Sequence, residues 1–71
     1  MADLAVARKV LRKQSKPAFV YKADDGCGNG ELGYFVAYVS AIDHVAKDTS
    51  GEYEIVEFNE LAKDMMRELN K

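Results

Sequence analysis

The chain of 71 residues has no tryptophan, one proline, one cysteine and one histidine. Each scarcity excludes something. A lone cysteine, Cys27, forms no internal disulfide, and small secreted domains usually carry several as staples, so the reading is a reducing, cytoplasmic setting. A lone histidine, His44, leaves no His or Cys pair at metal-ligand spacing and no Ser-His-Asp or Cys-His set. No metal, cofactor or catalytic residue is therefore assigned, and the chain reads as non-enzymatic. No apolar run nears the roughly 20 residues of a membrane span, and the amino terminus lacks the basic-then-apolar order of a signal peptide. With so little proline and a 48% apolar share, the composition is that of a folded domain. A chain this short buries only about 60% of its unfolded surface, so its core is thin.

What is present is unevenly charged. Residues 1–23 hold six basic side chains against Asp3 alone, a net +5, whereas 24–71 hold four basic against eleven acidic, a net −7. Such asymmetry marks a binding arm, or complementarity within the fold or between two copies.

The elements follow from spacing. Asp3 is an N-cap, and Leu4, Ala7, Val10 and Leu11 recur on one helical face until Pro17 forces a stop, giving a helix over 3–15. Ala18–Tyr21 and Leu32–Val39 have strand composition, and Asp24-Asp25-Gly26-Cys27-Gly28-Asn29-Gly30 between them is a tight reversal. That loop has neither the closing Glu of a calcium loop nor the Lys-Ser/Thr of a phosphate cradle. The second strand reads as long, to about Asp43. Asp48-Thr49-Ser50-Gly51 is then a turn, and 53–58 a third strand. Asn59 caps a final helix in which Leu61, Met65 and Leu69 stack. The expectation is a single α+β domain over 1–71, ordered α-β-β-β-α. Its sheet is a three-stranded antiparallel meander with both terminal helices packed on one face.

Alternation along those strands places Phe35, Ala37, Val39, Val56 and Phe58 beneath the helices. It leaves Tyr34, Val36, Tyr38, Ile42, Tyr53 and Ile55 on an open face. Tyrosine pairs an apolar ring with a hydroxyl and is enriched at interfaces. The leading expectation is a non-catalytic modulator or interaction domain that meets another protein, or a second copy, through this face. Its size suits an accessory protein of a bacterium or phage. The alternative is nucleic-acid binding through the basic helix face, Arg8, Lys9, Arg12, Lys13 and Lys16, spaced to follow phosphates. The element order resembles that of double-stranded RNA-binding domains, but the last helix opens Asn59-Glu60-Leu61-Ala62-Lys63-Asp64. Acids stand there in place of those domains' basic cluster, so the resemblance ends at element order.

Overall fold

The computed structural model describes residues 3–24 and 32–69. Asp3 accepts a hydrogen bond from the Val6 amide at 2.9 Å, satisfying one of the donors a helix start leaves unpaired, and α1 runs Leu4–Arg12. The chain then reverses around Pro17. Strand β1 (Ala18–Asp24) pairs antiparallel with β2 (Leu32–Tyr38), Ala18 opposite Tyr38 and Asp24 opposite Leu32. One 3-10 turn, Val39–Ala41, leads into α2 (Ile42–Asp48); β3 (Glu54–Phe58) and α3 (Glu60–Leu69) follow. Asp24 ends β1, and the rest of the glycine loop lies outside the described residues. The α+β class, the antiparallel three-stranded sheet and the helices at both ends are those the sequence implies.

Within that frame the sheet is not a meander. Its order is β2-β1-β3, with β3 antiparallel to β1. The expected long second strand stops at Tyr38, where the Val39 amide donates to the Pro17 carbonyl at 3.0 Å. Ile42, Val45 and Ala46 are then apolar at i, i+3 and i+4, with Asp43 in the first helical turn and Lys47 in the last, so the stretch forms α2. Asp48–Gly51 is accordingly a helix terminus and not a hairpin. Gly51 donates to the Ala46 carbonyl (2.8 Å) and Ser50 to Lys47 (3.3 Å), a Schellman motif with Ser50 at φ 55°. Thus α2 carries the chain from one edge of the sheet to the other.

Burial follows from this order. Ala18, Phe19 and Val20 are consecutive and fully buried, as a central strand covered on both faces requires. On one face, Ala18 and Val20 meet Ala7 and Leu11 of α1, with Leu4, Tyr34 and Val36 packed around them. The small side chains Ala7 and Ala18 let helix and sheet approach closely, and burying Leu11 contributes about 2 kcal/mol. The other face is aromatic: Phe19 lies 5.8 Å from Tyr21 and 6.1 Å from Phe58, while Tyr21 stacks on Phe35 at 5.4 Å and meets Tyr53 edge-on at 6.2 Å.

Asn59 locks the last helix to the sheet. Its side-chain oxygen accepts from the Ala62 amide (2.8 Å) and from the Ala18 amide (3.1 Å), while its amide nitrogen donates to the Lys16 carbonyl (3.0 Å). One side chain therefore caps α3 and ties its start to the first residue of β1.

Candidate functional site

The six residues expected on one open face are divided among three places. Tyr34 and Val36 pack against the α1 core, with Tyr38 on the same side of the strand, so this face lies beneath α1. Tyr53 and Ile55 stand on the aromatic face, since Ile55 is paired with Tyr21 and Tyr53 contacts the Tyr21 ring. Ile42 is in α2. Two physical causes account for the division. A bulge takes β3 from Glu57 opposite Val20 directly to Ile55 opposite Tyr21, leaving Val56 as the extra residue. An extra residue reverses the alternation, which puts Ile55 on the side of Phe58. The other cause is α1 itself, whose apolar stripe seats on Ala18 and Val20 and so covers the tyrosine side of β2.

What the structure leaves open is the edge of the sheet. In an antiparallel pair, residues alternate between those whose backbone groups face the partner strand and those facing away. The Val39-to-Pro17 bond sets that alternation: Gly33, Phe35 and Ala37 face β1, while Leu32, Tyr34, Val36 and Tyr38 present their N–H and C=O groups outward. No strand among the described residues takes them up.

The side of α1 above this edge is apolar. Val6 and Val10 are 47% and 41% exposed, and Leu32 and Tyr38 at the ends of β2 are 58% and 42% exposed. Of the face formed by Leu4, Ala7, Val10 and Leu11, Ala7 and Leu11 are buried and Val10 borders them. A groove of about 200 Å³ runs between helix and strand, lined by Val10, Gln14, Val36, Ala37 and Tyr38. The Tyr38 hydroxyl donates to Gln14 Oε1 at 3.0 Å, and the Lys16 ammonium lies 5.8 Å from the Tyr38 ring centre. The opposite side of α1 is polar: Arg8 Nε pairs with Glu57 of β3 at 3.0 Å.

All five residues of the basic row, Arg8, Lys9, Arg12, Lys13 and Lys16, are exposed, and Arg8 is the member held by an acid. Arg12 and Lys63 border a second hollow of about 360 Å³ between the end of α1 and the start of α3, where Glu57 and Glu60 offset them. His44 is exposed on α2. Burial, with a smaller contribution from the Asp48 carboxylate, raises the Tyr21 phenol above its ordinary 10.0. Among the described residues no helix is long and apolar enough to cross a membrane. No family model, curated protein or solved structure matches this chain.

Proposed function

We propose that the chain is a non-catalytic protein-interaction domain whose contact surface is the outer edge of β2 with the Val6–Val10 side of α1 above it. The observation that carries this reading is that β2 lacks the charge, proline and bulge by which edge strands avoid pairing, and that no described strand covers it. Over its seven residues, Leu32–Tyr38, four present open backbone groups outward. The surface is a template for strand addition, in which backbone bonds supply affinity and the flanking groove supplies selectivity. The single cysteine suits a reducing, cytoplasmic compartment.

A photo-crosslinking side chain tests the location. Placed at Tyr38 or Val10 in cells it is expected to form adducts, and at exposed Lys47 on α2 it is not. Equal yields from all three positions, or none from the first two, would contradict the proposal.

A second reading draws on the exposure of Lys9, Arg12, Lys13 and Lys16, which have no ion pair among the described residues. Contact with nucleic-acid phosphates through this row would weaken steeply as salt rises. A gel-shift titration showing no complex at low salt removes it.

A further inference from the structure

We infer that the occupant of the β2 edge is the same edge of a second copy, related by a two-fold axis through Phe35. This rests on the proposed interaction role of that edge, and three independent features of the structure converge on it.

The first is backbone phase. A two-fold at Phe35, the middle of the seven-residue strand, sets Tyr34 opposite the partner's Val36 and Leu32 opposite the partner's Tyr38. These are the residues whose N–H and C=O groups point outward. The four resulting pairs exchange two bonds each, about eight in all, and join the sheets into a continuous one.

The second is the height of the helix. Arg8 pairs with Glu57, which lies opposite Val20 and so beside the Val36 level, while Gln14 accepts from Tyr38 further on, so α1 and β2 share a direction. Val10 and Gln14 flank the groove whose strand residues centre on Ala37. Residue 8 lies four residues before the midpoint of 10 and 14, about 6 Å back along the helix. The same distance is about two residues of strand, which reaches Phe35. An axis through Phe35 therefore passes level with residue 8, midway between Val6 and Val10. Since α1 packs on both β1 and β2, its axis lies over their boundary. Half a strand spacing to β2 and half beyond it puts the two α1 helices about 10 Å apart, the separation of packed helices.

The third is charge. Asp3, Val6, Val10 and Lys13 fall at i, i+3, i+7 and i+10, one stripe along α1. Antiparallel α1 helices centred on residue 8 set Val6 against the partner's Val10, and Asp3 against the partner's Lys13. Apolar meets apolar in the middle and opposite charges meet at both ends.

The test is the mass of the purified full chain by light scattering over a range of concentrations, with residue-resolved amide exchange. The parent is expected to approach twice 7.9 kDa as concentration rises. Val10→Glu and, as an independent variant at an exposed site, Leu32→Lys are expected to remain folded by circular dichroism and to hold the single-chain mass throughout. Lys13→Glu should weaken association about tenfold at low salt, since it converts two attractive contacts into repulsive ones. Adding Asp3→Ser, which keeps a capping hydroxyl and removes the repelling carboxylate, should recover part of that loss. A single-chain mass at every concentration overturns the two-fold assembly, as does a dimer that survives Val10→Glu and Leu32→Lys. Either result leaves the crosslinking test of the interaction role standing by itself, so the two failures are distinguishable.

Discussion

The two edges of this sheet share a central strand and differ in nearly everything else. On one side, β3 is five residues long, carries Glu54 and Glu57, and is bulged at Val56. Glu57 is held by Arg8 of α1, so both helix flank and strand are charged there. On the other side, β2 is seven residues long, uncharged and regular, beneath a helix flank of two exposed valines. Edge strands attract other strands, and charge, short length and bulges are how folded domains suppress that. One edge of this domain carries features that oppose pairing and the other lacks them. In so small a fold the contrast is informative, because both edges have the same solvent and the same central neighbour.

Four measurements break or sharpen the contrast. The β3 side depends on Asn59, whose side chain caps α3 at Ala62 and bonds to Ala18 of β1 and to Lys16 before it. Asn59→Ala is expected to cost about 2–3 kcal/mol in urea unfolding, combining a lost cap with two lost tertiary bonds. A loss within about 0.5 kcal/mol, the level of ordinary surface changes, would show that the β3 side is held by other means.

Removing the charges of that edge should make it resemble β2. The double variant Glu54→Val, Glu57→Val is expected to form species larger than the parent's at equal concentration, read by light scattering. An unchanged mass would assign the protection to the bulge and the short length.

The ion pair itself contributes little to stability. With both side chains roughly a third to a half exposed, Arg8→Ala should cost about 0.5 kcal/mol, less at high salt. A cost several times larger would mean that the Arg8 stem is part of the packing.

The smallest effect concerns pH. Burial raises the Tyr21 phenol above 10.0 in the folded chain, so the unfolded chain loses that proton first. Stability from this group is full below pH 10.0 and falls as pH climbs through the folded value. Unfolding curves across this range should fall less steeply for Tyr21→Phe; an identical fall in the variant would show the phenol to be solvated.

Much of this architecture is legible in local chemistry. Asp3 and Asn59 cap the helices that their positions imply, Pro17 separates α1 from β1, and the β1 and β2 runs alternate as written. What is not legible depends on long-range choice. Residues 42–48 follow the β2 run with no glycine or proline to divide them from it, and the end of β2 at the Pro17 carbonyl makes that division. The bulge at Val56 reverses the exposure of the β3 residues before it without any glycine or proline to announce it. One signal was available and missed: Ala18-Phe19-Val20 is apolar on both faces, the mark of a central strand, and it implies β1 in the middle. With β1 central, β2 becomes an edge, and interest moves from the faces of the sheet to its rim.

Amide exchange within β2 tests the central claim most directly, comparing dilute and concentrated protein. Phe35 and Ala37 bond to β1 and should exchange slowly in both, whereas Tyr34 and Val36 should exchange fast when dilute and slowly when concentrated. Rates at Tyr34 and Val36 that do not change with concentration would contradict pairing of this edge with its own copy.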